Sequence, residues 1–412
     1  MKSSCIISVG NELLCGHTVN TNAAYLGQRL MELGLPVIEA VTVGDDIDQI
    51  VTTIQQAGSH AEIVIITGGL GPTDDDVTRQ AVARFLGVDL VQDDRLLEQI
   101  QAFFVDRQRE MPARNAIQAH IPAGAEAIEN PVGTAPGIYA QVETTQLFVV
   151  PGVPSEMRYL FDHWIAPKLE TERGKQALAV RRLNCFGIGE SDLAERLGDL
   201  MRRDRNPLIN CTVHFGVITL HIMAAGPDQQ QAEDLAQADE AALRDLLREL
   251  IFGVEQETLA AVVVQGLTEA GRTLAVAESC TGGWIGKMLT DIPGASRIFT
   301  QGWTTYTNEA KARQLGVSSV LLEQYGAVSE PVARAMACGA RLRAATDVAI
   351  ATTGIAGPEG GTPDKPVGLV YIALATEDDV KVQECRFKGG REMIRWRTTQ
   401  TALDMIRRAA VF

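Results

Sequence analysis

Histidine is scarce in this sequence and stops early. The six histidines lie at positions 17, 60, 120, 163, 214 and 221, so the chain beyond residue 221 has none. A Ser-His-Asp or Cys-His catalytic arrangement is therefore excluded there, unless a histidine comes from elsewhere. The seven cysteines are scattered and never form a CxxC pair, which argues against a disulfide framework and against a zinc site.

Long apolar runs and basic charge are also missing. No stretch approaches 18 consecutive apolar residues, and the opening MKSSCIISVGNELL lacks the apolar core of a signal peptide, so we expect a cytoplasmic protein without membrane partners. A formal net charge of -15 disfavours a nucleic-acid binder, which needs a basic face to displace counterions. We expect a homodimer whose partners are small molecules.

What is present indicates an α/β protein of several domains. Short β-branched runs alternate with helical ones from residue 4 to about 167, which is typical of a largely parallel sheet; GIYAQV and TQLFVVPG resemble a hairpin added to it. We predict a first domain over 1–167, a small α+β connecting domain over 168–253 and a second α/β sandwich over 254–412. In the middle domain, GIGES reads most simply as the start of a helix.

Candidate nucleophiles stand side by side in AVAESCTGGWIGKML, as Ser279, Cys280 and Thr281. A thiol at a helix start is the best intrinsic nucleophile, but no histidine base is available. The segment GWTTYTNEAKARQLGV offers Tyr306 and Lys311 instead, and a desolvated lysine can deprotonate a serine. Ser279 is then the better candidate, with Cys280 turned into the core. In the alternative reading, Ser279 or Thr281 caps the helix and Lys311 is solvated.

A glycine- and proline-rich connection, TTGIAGPEGGTPDKPVG, follows an apolar strand, where open α/β sheets place ligands. Backbone N–H groups there and at Gly282 and Gly283 could hold a phosphate or an oxyanion. Arg391 and Arg395 lie one helical turn apart and could reach a phosphate, although a solvated basic face is an equal alternative.

Three motifs of the last domain, AESCTGG, YTNEAK and TTGIAGPEGGTPDKPVG, resemble the C-terminal domain of the CinA family, the nicotinamide mononucleotide deamidases. The resemblance implies that a serine attacks the carboxamide, releases ammonia and is freed by water, without a cofactor. It places the nucleophile on Ser279, the base on Lys311 and an assisting tyrosine on Tyr306. Substrate or oxyanion contacts are implied for Thr353, Gly282, Gly283, Gly354 and Arg395.

The first domain carries EIVIITGGLGPTDDDVTRQAV, which predicts a strand, a glycine-rich turn and a helix that begins near Asp74, Asp75 and Asp76. Such a turn lets backbone N–H groups approach a phosphate. The aspartates stabilise a helix N-terminus even without a ligand. Together with Asp45 and Asp46 on a neighbouring loop, they could share a hard cation. No G-K-[ST] follows, so the turn is not a P-loop.

The motifs SVGNELLCGHTVNTNA, TGGLGPTDDDVTR and PGVPSEM resemble the MoCF-like (MogA-like) fold of molybdenum-cofactor biosynthesis and the N-terminal domain of CinA proteins. That resemblance implies a metal-dependent pyrophosphatase that cleaves ADP-ribose to AMP and ribose 5-phosphate. It implies metal contacts for Asp46 and Asp76 with a divalent ion, and ADP-ribose contacts for Asn20, Gly69, Gly71, Thr73, Asp75, Thr78 and Glu156.

Two questions stay open at this point. The middle domain corresponds to the family's KH-like connecting domain, but it lacks a basic GxxG loop, and we assign it no RNA binding. The first domain has an alternative interpretation as a non-catalytic pterin- or nucleotide-binding module, in which case only the deamidase domain turns over substrate.

Overall fold

The computed structural model describes residues 2–171 and 177–411. The chain divides into two compact units. Unit 1 comprises residues 1–179 with 225–233, and unit 2 comprises residues 180–224 with 234–412. Among the described residues, no helix is both long and apolar enough to span a membrane.

Unit 1 contains a six-stranded sheet in the order β2-β1-β3-β8-β7-β6 and a separate β4-β5 pair. Its strands are β1 Ser4–Val9, β2 Val37–Val43, β3 Ile63–Thr67, β4 Leu90–Gln92, β5 His120–Pro122, β6 Glu126–Ile128, β7 Gly137–Val142 and β8 Thr145–Val150. Its helices are α1 Asn11–Leu14, α2 Thr21–Glu32, α3 Ile47–Gly58, α4 Thr78–Leu86, α5 Asp94–Val105, α6 Pro154–Leu160 and α7 Ala166–Thr171.

The central strands β1 and β3 are buried along their whole length and pair in parallel. Successive side chains of a strand point to opposite faces, so Ile7 and Ile66 pack in one apolar cluster while Ile6 and Ile65 pack in another. The predicted hairpin is confirmed, since β7 and β8 pair antiparallel. The carboxyl ends of the parallel strands β1 and β3 meet at one edge of this sheet.

Unit 2 contains most of a four-stranded sheet, β10-β11-β9-β12, and the whole of a five-stranded sheet, β14-β13-β15-β16-β17. Its strands are β9 Ala177–Phe186, β10 Leu208–His214, β11 Val217–Gly226, β12 Ile251–Val254, β13 Leu274–Glu278, β14 Phe299–Thr304, β15 Val348–Gly354, β16 Leu369–Ala375 and β17 Val380–Arg386. Its helices are α8 Glu190–Leu197, α9 Gln229–Leu247, α10 Leu259–Glu269, α11 Trp284–Thr290, α12 Asn308–Leu315, α13 Ser319–Tyr325, α14 Glu330–Ala344 and α15 Arg391–Ile406.

In the five-stranded sheet, β13 pairs in parallel with both β14 and β15, and the remaining pairs are antiparallel. Alternation again divides the core, because Val276 and Ile350 pack on one face while Ala277 and Ala351 pack on the other. The helix predicted from Cys280 begins only at Trp284. Gly282 and Gly283 have φ angles of 63° and 92°, which a helix does not allow, so residues 280–283 form a turn between β13 and α11.

Candidate active site

The five-stranded sheet brings Ser279 and Lys311 together. Ser279 directly follows β13, and α12, which carries Lys311, follows the neighbouring parallel strand β14. Parallel strands end at the same sheet edge, so residues 32 positions apart become neighbours. The hydroxyl of Thr307 accepts a hydrogen bond from the Ala310 N–H and caps α12, which places Lys311 in its first turn.

The amine of Lys311 is buried against oxygen atoms. Its Nζ lies 3.1 Å from Ser279 Oγ, 2.8 Å from the carbonyl oxygen of Thr305 and 3.4 Å from that of Tyr306. The side chain is 1% exposed, and burial lowers the pKa of Lys311. A neutral amine has two N–H donors and one lone pair. The carbonyl oxygens of Thr305 and Tyr306 can accept hydrogen bonds from these two N–H groups. The lone pair can then accept the proton of the Ser279 hydroxyl.

Cys280 does not share this environment. It is 5% exposed and packs among apolar side chains such as Val276 and Ile285. Burial raises the pKa of the Cys280 thiol to about 12, so thiolate is scarce at neutral pH. The structure therefore agrees with the interpretation that Cys280 belongs to the core, while the role of Ser279 as the nucleophile stays a prediction.

The side chain of Tyr306 forms no hydrogen bond with Ser279 or Lys311, although its carbonyl oxygen lies near the Lys311 amine. Its side chain is 57% exposed, and its hydroxyl accepts a hydrogen bond from Arg391 Nη2 at 2.9 Å. Arg391 also donates to the carbonyl oxygen of Gly357 at 2.7 Å, so it joins Tyr306 to the glycine- and proline-rich connection. The assisting role of Tyr306 stays a prediction.

The predicted oxyanion donors are already used inside the turn. The N–H of Gly282 donates to the carbonyl oxygen of Ser279 at 3.1 Å, and the N–H of Gly283 donates to Glu278 Oε2 at 2.9 Å. The buried Glu278 carboxylate accepts two further N–H groups of α11 and acts as its cap. This differs from the prediction, because neither glycine N–H is free for an oxyanion.

A different backbone N–H is free beside the nucleophile. Within residues 2–171 and 177–411, the N–H of Cys280 has no hydrogen-bond partner in another residue; its own thiol is near enough to interact with it. Arg395 donates to the carbonyl oxygens of Cys280 and Thr281 at 3.1 and 2.6 Å, and so holds this turn rather than a ligand. The residue after a nucleophilic serine supplies an oxyanion donor in other hydrolases that attack from a strand-to-helix turn.

The strand-end residues Thr353 and Gly354 also have partners in the fold. Thr353 is 1% exposed, and its hydroxyl donates to the carbonyl oxygen of Ala327 at 2.8 Å. A Cβ on Gly354 would lie 2.5 Å from a methyl group of Val370, so glycine is required there for packing against β16. The structure gives both residues structural partners, and their predicted substrate contacts stay predictions.

A second candidate site is a cavity of about 420 Å³ in unit 1, at the ends of β1 and β3. The predicted residues that line it are Asn20, Gly69, Gly71, Asp75, Asp76 and Glu156. Burial raises the pKa of Glu156, whose carboxylate accepts a hydrogen bond from Asn130. Thr73 and Thr78 serve the loop instead: Thr73 donates to Asp76, and Thr78 donates to the carbonyl oxygen of Gly68.

The loop after β3 directs its carbonyl oxygens inward. Arg79, which is 2% exposed and was not anticipated from the sequence, donates to the carbonyl oxygens of Leu70 and Gly71 at 2.6 and 2.8 Å. The N–H of Thr78 donates a hydrogen bond to the carbonyl oxygen of Gly69. The N–H groups of residues 69–71 have no hydrogen-bond partner in the described part of the chain, so this loop offers donors to an anion.

The predicted metal pair is not brought together. Asp46 accepts a hydrogen bond from the Gln49 N–H as the cap of α3 and does not line the cavity, whereas its neighbour Asp45 does. Asp76 accepts hydrogen bonds from the N–H and hydroxyl of Thr73. Among the residues that the structure describes, no three acidic, histidine or cysteine side chains are grouped to hold a metal ion. These carboxylates do not fit a preassembled divalent site.

Comparisons with known proteins assign a family to three segments of the chain. Residues 5–171 match the family described as "Probable molybdopterin binding domain", residues 180–253 the CinA KH domain and residues 256–410 the CinA C-terminal domain. A CinA-like protein of Syntrophomonas wolfei is 42% identical over 412 residues, which cover 99% of each chain. The chain belongs to the CinA family.

Another CinA-like protein, from Geobacter metallireducens, is 42% identical over 98% of each chain. Among solved structures, the competence/damage inducible protein CihA from Agrobacterium tumefaciens is 45% identical, with a TM-score of 0.36, over 36% of this chain and 91% of that chain. The predicted fold class is confirmed: a MoCF-like α/β domain, a KH-like middle domain and a C-terminal α/β sheet domain. The predicted boundaries at 167 and 253 stay predictions.

Proposed function

We propose that the C-terminal domain of this CinA protein is an amidase that converts nicotinamide mononucleotide to nicotinate mononucleotide and ammonia. The contact that carries the proposal is the 3.1 Å between Ser279 Oγ and the buried amine of Lys311. Serine is a weak nucleophile at its free pKa, and an adjacent base activates it. Family membership supports the choice of a pyridine mononucleotide as substrate.

In the proposed first step, the neutral Lys311 amine takes the Ser279 hydroxyl proton while Oγ attacks the carboxamide carbon. The carbonyl oxygen becomes an oxyanion, and the free Cys280 N–H donates a hydrogen bond to it. Lys311 then returns the proton to the departing nitrogen. The C–N bond breaks, ammonia leaves and an ester to Ser279 remains.

In the second step, Lys311 accepts a proton from a water molecule that attacks the ester. The bond to Ser279 Oγ breaks, Lys311 returns the proton to Oγ and nicotinate mononucleotide is released. The cycle needs no cofactor. Arg391 holds Tyr306 beside the connection at residues 352–368, where the pair can contact the substrate. We keep Tyr306 as an assisting residue.

The test is ammonia release from nicotinamide mononucleotide by the full chain, followed by mass spectrometry of the protein stopped during turnover. We expect an acyl group on the peptide that contains Ser279. Hydroxylamine should intercept it as a hydroxamate, since an ester is open to attack by amines. Turnover with neither an acylated peptide nor a hydroxamate would contradict the covalent route.

We propose ADP-ribose as the ligand of the cavity in unit 1, with hydrolysis to AMP and ribose 5-phosphate. The loop at residues 69–71, whose three N–H groups have no partner among the described residues and whose carbonyl oxygens bond the buried Arg79, supports the binding of a diphosphate. Five carboxylates line the same cavity: Glu12, Asp45, Asp75, Asp76 and Glu156. Their negative charges repel an anionic ligand unless a cation compensates them. A dependence on divalent metal remains part of the proposal, but we assign no ligand to it.

The alternative is a nucleotide- or pterin-binding module without turnover. AMP production from ADP-ribose, with and without EDTA and added divalent ions, separates the two. Binding of ADP-ribose without AMP production under any metal condition would favour the module. The homodimeric state also stays a prediction, which sedimentation can test.

A further inference from the structure

Unit 2 contains a second large cavity, of about 740 Å³, that does not include Ser279 or Lys311. The turn after β9, helix α8 and the turn between β10 and β11 form one side of it, and β17 and α15 contribute the other. Its volume lies in the range of small-molecule sites. Its apolar wall consists of Phe186, Ile188, Leu250, Phe387 and Met405.

Three arginines and two aspartates supply the charge of this cavity. The Asp404 carboxylate is already compensated, because it pairs with Arg407 at 2.7 Å and with Arg408 at 2.7 Å. Asp192 and Arg196 are four residues apart on α8, a spacing that permits an ion pair, yet the structure shows no ion pair between them.

Arg196 and Arg397 have neither an ion pair nor a hydrogen bond to any described residue; Arg397 is half-buried, whereas Arg196 is exposed at the mouth of the cavity. Leaving a partly buried guanidinium without a partner is unfavourable, since burial removes water that would otherwise solvate it. The two arginines face this cavity on a chain whose formal net charge is -15, where carboxylate partners are abundant. A half-buried arginine without a partner, with a second arginine in the lining of the same cavity, favours an anionic ligand.

The turns at the cavity leave room for a ligand. Gly187 and Gly216 have φ angles of 87° and 91°, a conformation that favours glycine. Nothing lies within 4 Å of a Cβ built on Gly216, while one on Gly187 would lie 3.1 Å from Arg408 Nη2. The polar side chains of Gln383 and Thr401 complete the lining.

We propose that this cavity binds a small phosphorylated molecule that carries a flat ring, of the mononucleotide class. Arg196 and Arg397 bind the phosphate, because the planar guanidinium matches two phosphate oxygens. Phe387 and its apolar neighbours contact the ring. The site is separate from Ser279 and Lys311, and its occupancy does not require that either proposed activity be correct.

The test is equilibrium dialysis of the full chain against AMP, adenosine and inorganic phosphate, with the number of bound molecules counted per chain. AMP can also occupy the cavity of unit 1, so the comparison is between variants. The variant R196Q/R397Q should lose one AMP site, or weaken it at least tenfold. The matched control Arg386→Gln removes a charge from β17 at an arginine that pairs with Glu384 and lies outside the lining. It should keep every site.

Phe387→Ala tests the contact with the ring independently of the contact with the phosphate. It should weaken the binding of AMP and leave the binding of inorganic phosphate unchanged. Adenosine should not bind this cavity. Circular dichroism establishes that each variant is folded. An unchanged number and affinity of AMP sites in R196Q/R397Q would overturn the proposal. So would equal binding of adenosine and AMP at the site that the double variant loses.

Discussion

The assignment of Lys311 as the base can be tested by two substitutions that separate proton transfer from charge. Lys311→Arg keeps a positive charge but cannot lose a proton near neutral pH. Lys311→Met removes the charge at similar bulk. If the amine acts only through its charge, the arginine variant keeps its deamidase activity. If the amine accepts the Ser279 proton, both variants lose that activity.

The expected size follows from the contacts. Loss of a general base slows a reaction by about 10²- to 10⁴-fold, which corresponds to roughly 2.7 to 5.5 kcal/mol of activation free energy. In Lys311→Met, the carbonyl oxygen of Thr305 loses its 2.8 Å donor. Leaving a buried acceptor unsatisfied lowers the free energy of unfolding by about 1 to 3 kcal/mol. The variant should therefore remain folded, with a reduced Tm.

The pH dependence has a definite sign. Burial lowers the pKa of Lys311, so the unfolded chain holds a proton that the folded chain releases at a lower pH. The free energy of unfolding of the wild type should rise with pH between the folded pKa and the ordinary value near about 10.4, and Lys311→Met should lack this contribution. The wild-type rate should rise with pH through the same lowered pKa.

The assay is ammonia release from nicotinamide mononucleotide between pH 6 and 10, with thermal melts on the same samples. Lys287→Met is the matched control, because Lys287 is exposed on α11 and pairs with Asp291. It should leave the rate and its pH profile unchanged. An arginine variant with near wild-type turnover and an unchanged profile would remove Lys311 from the mechanism and direct attention to Tyr306.

Three further predictions follow from other contacts. Ser279→Ala should abolish deamidation while Cys280→Ala keeps most of it, as measured by ammonia release; a dead cysteine variant beside an active serine variant would reverse the assignment. Asp76→Asn should lower AMP production from ADP-ribose, because Asp76 lines the cavity and accepts two hydrogen bonds from Thr73. Asp46→Asn should not, because Asp46 lies outside the lining and asparagine also caps a helix; the reverse order would contradict this placement of the two residues. Glu278→Gln should lower the free energy of unfolding by about 1 to 3 kcal/mol in denaturant titrations, since an amide cannot accept all three N–H bonds. An unchanged denaturation midpoint would mean that the negative charge of Glu278 does not contribute to the cap.

Motif position was a better guide to the sites than the choice of donors and ligands. The absence of histidine after residue 221 leaves lysine as the candidate base, and the fold places Lys311 beside Ser279. The predicted oxyanion donors Gly282 and Gly283 instead bond within their turn. The sequence shows where the glycines are. The partner of each glycine N–H depends on the peptide orientation that the folded turn adopts.

The sequence by itself determined where most strands lie and that no histidine is available as a base after residue 221. Periodic burial and turn residues act over a few positions, and the absence of histidine is a property of composition alone. Tertiary structure alone decided which polar groups find partners. Arg79 lies beneath the loop after β3, Asp46 caps α3 outside the cavity, and Cys280 lies in the core. These outcomes depend on burial and on competition between hydrogen-bond partners in the folded chain, which the order of residues alone does not show.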